Sequence, residues 1–240
     1  MIDIHCHIVP RVDDGAENDA EALRMGHEAY RQGIHTIIAT PHHATAHYRN
    51  EGGVIRSAVH QLNQLLQKHY IHVKVMAGQE FRLNDDYEDE YRAGNIQLLG
   101  ESRYLLTELP NNRIPACFER FVHFMRDQGI EIIVAHPERH QMLMSRPDLL
   151  LQWTNNGVLF QITSLSLLGG FGKRPMQAAY SLIRQGYAHL LASDAHSSRH
   201  RSFLLREGYA AVERELSRSY AEHMKSNAEK VIANESVNCC

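Results

Sequence analysis

The chain has no apolar run close to the roughly 18 residues that a membrane-spanning helix needs, so membrane insertion is not expected. It has little cysteine. Cys6 and Cys117 stand alone, and Cys239 and Cys240 come last. Such scattered thiols do not make a disulfide framework, which points to a reducing cytoplasm. Charge of one sign is also missing: 25 basic residues face 28 acidic ones, for a net of -3. That balance provides neither a basic footprint for nucleic acid nor a polybasic membrane anchor. No charged segment followed by an apolar one precedes the first strand-like stretch, so no secretion signal is expected. Two phosphate-handling loops are absent as well. Leu168-Gly-Gly-Phe-Gly-Lys173 lacks the glycine spacing of a P-loop, and Arg174 stands where Ser or Thr would be required. It reads as a flexible surface loop. A thiol-based phosphatase needs Cys, five residues and Arg. Cys6 is followed by Arg11 after only four residues, and position 12 is Val.

Histidine is what the chain has in excess, with 17 residues. Most, including His27, His60, His69, His123 and His223, fall in helix-like segments and read as solvated or capping residues. The informative ones end strands. Met1-Ile-Asp-Ile-His-Cys-His7 alternates apolar and polar residues, the period of a strand. Residues two apart in an extended chain point to one side, so His5 and His7 can present both imidazoles to one metal ion, with Cys6 facing away. The pattern recurs in Thr36-Ile-Ile-Ala-Thr-Pro-His42, Val73-Lys-Val-Met-Ala-Gly-Gln-Glu80, Tyr104-Leu-Leu-Thr-Glu108, Ile132-Ile-Val-Ala-His136 and His189-Leu-Leu-Ala-Ser-Asp194-Ala-His196. Six apolar runs thus finish in His, Asp or Glu.

Between them lie helical patterns over residues 17–33, 52–70, 115–129, 147–157, 174–186 and 202–233. A seventh strand, 158–163, donates no evident ligand. Residues 84–91 are acidic and read as a solvated face. Strands alternating with helices predict an α/β fold of parallel strands with helical crossovers, whose carboxyl ends share one rim. With 43% hydrophobic residues, no linker and no internal repeat, a single domain over 1–240 is the simplest reading.

The donors His5, His7, His42, Glu80, His136, Asp194 and His196 resemble the motifs of the polymerase-and-histidinol-phosphatase (PHP) superfamily. Within it, Met1-Ile-Asp-Ile-His-Cys-His-Ile-Val-Pro10, Val12-Asp-Asp-Gly15, Ala39-Thr-Pro-His-His43, Ala77-Gly-Gln-Glu80, Ala135-His-Pro-Glu-Arg139 and Ala192-Ser-Asp-Ala-His196 resemble the bacterial protein tyrosine phosphatases of capsule and exopolysaccharide loci. The resemblance runs from Met1 to about Ala233. It implies a distorted seven-stranded (β/α) barrel of PHP type and three metal ions, manganese first. His5, His7, Glu80 and Asp194 would hold one ion, Glu80, Glu108 and His136 a second, and Asp14, His42 and His196 a third. Imidazole with carboxylate also suits Fe, Co or Zn, and suits Mg alone less well. The reaction implied is metal-dependent phosphomonoester hydrolysis, with Arg139 and Arg201 as phosphate-binding forks and Arg199 as the neighbour that could replace Arg201. The implied partner is the phosphotyrosine tail of a bacterial tyrosine kinase. An oligomer is possible, and His43 has no assigned role. A small-molecule phosphatase of histidinol-phosphate type, a PHP-type nuclease and a metal-binding partner module remain as alternatives.

Overall fold

The structure, a computed structural model, describes residues 1–110 and 113–238. The terminal pair Cys239 and Cys240 lies outside the described residues. Among the described residues nine strands form, all parallel to their neighbours: β1 Ile2–Cys6, β2 Thr36–Ala39, β3 His42–His43, β4 Lys74–Ala77, β5 Glu80–Arg82, β6 Tyr104–Glu108, β7 Glu131–Ala135, β8 Leu159–Thr163 and β9 Leu190–Ala192. They lie in two sheets, ordered β1-β2-β4 and β3-β5-β6-β7-β8-β9. Nine rather than seven strands arise because two of the predicted segments are broken. Thr40-Pro41 separates β2 from β3, and Gly78-Gln79 separates β4 from β5. Pro41 has no N–H to give a ladder, which ends pairing there. After each break the chain pairs in the second sheet, so both broken lines tie the two sheets together.

The ring closes between the first and last strands. Cys6 bridges Ala195 in parallel, His7 N–H donates to Ala195 O at 2.9 Å, and Asp194 N–H donates to His5 O at 2.9 Å. A buried carboxylate locks this seam: Asp3 accepts the Ser193 N–H at 2.9 Å and the Ser193 hydroxyl at 2.5 Å.

Strand alternation sorts the core into two clusters. Ile38, Tyr104, Leu106, Ile133, Leu159 and Leu190 pack together with Ala228 and Val231 of the last helix, filling the barrel below the rim. Their chain neighbours Leu105, Ile132, Phe160 and Leu191 face the surrounding helices. Each large apolar side chain buried this way contributes roughly 1.5–3 kcal/mol.

The helices are α1 Asp19–Arg31, α2 Gly52–Lys68, α3 Tyr87–Arg92, α4 Phe118–Asp127, α5 Gln141–Met144, α6 Pro147–Asn155, α7 Ser164–Leu167, α8 Lys173–Arg184, α9 Leu205–Glu215 and α10 Arg218–Ala233. Two expectations are corrected here. The acidic stretch is not wholly a solvated face: α3 turns Tyr87 and Glu90 inward, and Glu90 accepts from Asn95 at 2.7 Å and pairs with His43 Nε2 at 3.2 Å. The helical run from 202 is two helices, because Ser217 starts α10 by accepting the Tyr220 N–H on its hydroxyl. Among the described residues no helix is long and apolar enough to cross a membrane.

Candidate metal centre

The register of β1 slips between Asp3 and Cys6, and beyond the slip His5 and His7 turn into the barrel mouth. Cys6 joins the outer core, its thiol near Ala195 O at 3.6 Å, as the alternation predicted. Each imidazole is oriented from behind. His5 Nδ1 donates to Gln161 Oε1 at 2.7 Å, and His7 Nδ1 donates to Asp13 Oδ2 at 2.7 Å. These bonds turn both Nε2 atoms toward each other at 3.2 Å. Two imidazole lone pairs at that separation, with carboxylates around them, require positive charge between them, whether a proton or a metal ion.

Glu80 is the hub. Its Oε1 lies 2.8 Å from His136 Nε2, and its Oε2 lies 2.9 Å from His42 Nδ1 and 3.4 Å from both His5 Nε2 and His7 Nε2. Asp194 Oδ1 stands 3.3 Å from His5, 3.5 Å from His7 and 3.6 Å from His196. Asp14 Oδ1 faces His196 Nε2 at 3.4 Å and His42 Nε2 at 3.5 Å. Glu108 is 3.8 Å from both His42 and His136. All nine expected donors therefore meet at one rim. His136 and Asp194 do so with φ of +35° and +54°, each where its chain leaves a strand and turns across the barrel mouth. Three groups of donors draw close enough to share an ion: His7, Asp14, His42 and His196; His5, His7 and Glu80; and His42, Glu80 and Glu108. Here His42 groups with Glu80 and Glu108, where the expected partition had His136, and His7 belongs to two groups.

Whether these residues fit a metal is tested by atoms left over. Among the described residues, His42 Nδ1, Glu80 Oε2, Glu108 Oε2 and His196 Nε2 are buried without a hydrogen-bond partner. Charged neighbours lie close, with Glu80 Oε2 2.9 Å from His42 Nδ1 and Glu108 Oε2 3.0 Å from Arg82 Nε, but none of the four atoms has a well-aligned hydrogen bond, and they converge on one space. A set of imidazole and carboxylate donors without thiolate matches Mn, Fe, Co or Zn.

The electrostatics differ from donor to donor. Burial alone would push the His7 pKa down, but Asp13 outweighs it and holds the imidazole well above its ordinary value. Burial would likewise raise Asp194, yet Arg139 and His5 keep it well below the usual carboxylate range. His136 is pushed down to about 4, first by burial and then by Arg139, which favours the neutral imidazole a metal needs. Glu108 is raised to about 7 by burial and by the charge on Glu80 beside it.

Both expected arginines reach the cluster: Arg139 Nη1 and Arg201 Nη2 bind Asp194 Oδ2 at 3.0 Å and 2.8 Å. Arg201, not Arg199, makes this contact. Several site residues escaped the sequence reading. Asp13 was masked by its neighbour Asp14. Gln161 lies on the strand that donates no evident ligand, and as an amide it carries no ligand signature, yet it fixes His5. Arg82 pairs with Glu108 at 3.0 Å across β5 and β6. The glycine-rich stretch is not merely a surface loop either, because Phe171 lies under both Arg139 and Arg201. His43, left unassigned, points to the outer side and is buried against Glu90 and Phe81. Seven of the nine donors, all but the fully buried His5 and His7, line with Arg82, Arg139 and Arg201 a cleft of about 510 Å³ that also touches Leu109, Pro137, His140 and Gln141.

A closed parallel barrel with histidines, carboxylates and two arginines on one rim has the layout of the metal-dependent barrel hydrolases. Distant barrels share the fold alone, such as an organophosphorus hydrolase from Deinococcus radiodurans at 13% identity and TM-score 0.52 over 96% of this chain and 91% of that one. The chain belongs to the CpsB/CapC family of capsular polysaccharide synthesis, whose profile matches residues 1–233. It is similar to the tyrosine-protein phosphatase YwqE of Bacillus subtilis, 37% identical over 99% of this chain and 93% of that protein. CpsB of Streptococcus pneumoniae, also named a tyrosine-protein phosphatase, is 26% identical over 98% of this chain and 99% of its own. A crystal structure from work on YwqE and CpsB, described as metal-dependent tyrosine phosphatases, superposes with TM-score 0.96 at 37% identity, covering all of this chain and 97% of that one.

Proposed function

We propose that the chain is a metal-dependent protein tyrosine phosphatase, one phosphatase domain over 1–240. It acts in the cytoplasm on the phosphotyrosine tail of a bacterial tyrosine kinase that controls capsular or exopolysaccharide synthesis. The family membership and the named activity of the relatives support this. The observation that carries it is the double use of Asp194. One oxygen faces the histidines His5, His7 and His196, and the other is shared by Arg139 and Arg201. Anion-binding forks thus stand one carboxylate away from the donor cluster.

His5, His7, Glu80 and Asp194 would hold one ion, Glu80, Glu108 and His136 a second, and Asp14, His42 and His196 a third, with manganese first and Fe, Co or Zn as substitutes. When bound, such ions supply Lewis acidity toward phosphoryl oxygens and lower the pKa of water toward neutrality. The protein's own residues do the rest. Arg139 and Arg201 exchange part of their hold on Asp194 for the phosphoryl oxygens, which they bind as planar forks. Asp13 and Gln161 keep the His7 and His5 rings in one tautomer. A water oxygen bonds to phosphorus as the bond to the tyrosine oxygen breaks, giving inorganic phosphate and a tyrosine hydroxyl.

The test couples elemental analysis with turnover of a phosphotyrosine peptide, before and after chelation, with histidinol phosphate and single-stranded DNA as parallel substrates. The expected result is about three ions per chain, peptide turnover lost with chelator and restored by Mn²⁺. Undiminished peptide turnover in metal-free protein, or preference for histidinol phosphate, overturns the proposal.

A further inference from the structure

The guanidinium carbons of Arg139 and Arg201 lie 4.8 Å and 5.7 Å from the centroid of one aromatic ring, that of Phe171. The two arginines come from different elements. Arg139 ends the helical turn Pro137–Arg139 after β7, and Arg201 lies in the segment between β9 and α9. Phe171 comes from a third, the turn between α7 and α8. The turn is wound tightly: Gly170 N–H donates to Leu165 O and Gly172 N–H donates to Gly169 O, both at 2.9 Å. Two of its glycines are dictated by geometry. Gly169 and Gly172 have φ of +79° and +93°, where any side chain would be strained. The glycine-rich stretch therefore winds the backbone that presents Phe171 to the two arginines, and the Phe171 side chain does not line the cleft itself.

We infer that Phe171 is a positioning residue for phosphate binding, acting through Arg139 and Arg201. The inference rests on the phosphatase reading above. Both arginines lean on one oxygen, Asp194 Oδ2, so two like charges crowd together. The negative face of an aromatic ring offsets part of that repulsion and attracts each cation. A phosphoryl group drawing the forks away from the Asp194 carboxylate would leave the ring as a contact that both arginines share. Both side chains are also partly exposed, 22% for Arg139 and 31% for Arg201, so each has rotamer freedom to lose on binding. An aromatic support orders them in advance and reduces that loss.

The test uses manganese-loaded full-length protein and three variants, Phe171→Ala, Phe171→Leu and Phe171→Tyr. Inorganic phosphate binding is measured by calorimetry, with KM and kcat for a phosphotyrosine peptide and metal content alongside. Leucine keeps apolar bulk without a π face, so it separates packing from the cation–ring contact. The expected result is phosphate affinity weakened and KM raised roughly five- to tenfold in the Ala and Leu variants, with metal content unchanged and the Tyr variant within about twofold of wild type. Wild-type phosphate affinity in Phe171→Leu overturns the inference. So does a fall in metal content, or a fall in kcat at unchanged KM and unchanged phosphate affinity, in Phe171→Ala. Calorimetry reads this result even if wild-type protein fails to hydrolyse phosphotyrosine, a failure that counts against the proposed function alone.

Discussion

Asp194→Asn removes one negative charge while keeping the outline of the side chain. It also keeps the backbone, because asparagine tolerates the left-handed φ of +54° that residue 194 adopts. Three things are lost together. The arginines lose their charged acceptor at 3.0 Å and 2.8 Å. His5 and His7 lose the opposite charge at 3.3 Å and 3.5 Å. The donor set loses an anionic ligand. Both guanidinium groups are partly exposed, so solvent screens them and the stability cost is about 1–2 kcal/mol rather than the full value for a buried pair. On the proposed mechanism the catalytic cost is larger, since the lost charge orders the arginines that would meet the phosphoryl oxygens: turnover of a phosphotyrosine peptide should fall about 100- to 1,000-fold. Asp194→Ala serves as the backbone control, with about 1 kcal/mol more destabilisation because alanine resists a positive φ. Steady-state kinetics, metal analysis and urea melts on both variants measure these effects. Peptide turnover within tenfold of wild type in Asp194→Asn, with metal content intact, refutes the reasoning.

Cys6→Ser should keep most activity, because the thiol faces the outer core and burial pushes its pKa up, so that no thiolate is available. A serine hydroxyl can donate to Ala195 O in its place. Loss of turnover with metals still bound would show that the thiol takes part. His189, far below the rim, should give acid lability. Burial lowers its pKa to about 4, the Tyr187 backbone offsetting part of this, and its Nδ1 accepts the Phe160 N–H at 3.1 Å, so the folded ring stays neutral. The stability is present above about pH 6.5 and is lost as pH falls toward 4, because only the unfolded imidazole takes up a proton. At pH 5 relative to pH 7.5 this costs about 2 kcal/mol. His189→Asn keeps an acceptor without the titration, so its urea-melt stability should change about 2 kcal/mol less between the two pH values; equal changes in both proteins would refute the assignment.

The donors were legible because strand ends carry them: each apolar run that finished in His, Asp or Glu delivers that residue to the rim. What supports them was not. Gln161 and Asp3 carry no ligand signature, and their importance arises only from the register that sets β8 and β9 beside β1. The breaks at Pro41 and Gly78 split two strands without changing periodicity on either side, which hid the passage between sheets. Phe171 sat in a stretch judged by its glycines. The residue they present became visible only when two arginines from elsewhere reached it.

The seam between β1 and β9 sets the order in which this centre can be made. A ribosome releases residues 3–7 first and residues 193–196 nearly two hundred codons later. Until that late segment emerges, His5 and His7 have no Asp194 to face, and Asp3 has no Ser193 to hold. A chain that stops before residue 193 therefore carries the early donors on an open edge, and the full set of nine meets only once residue 196 has been made.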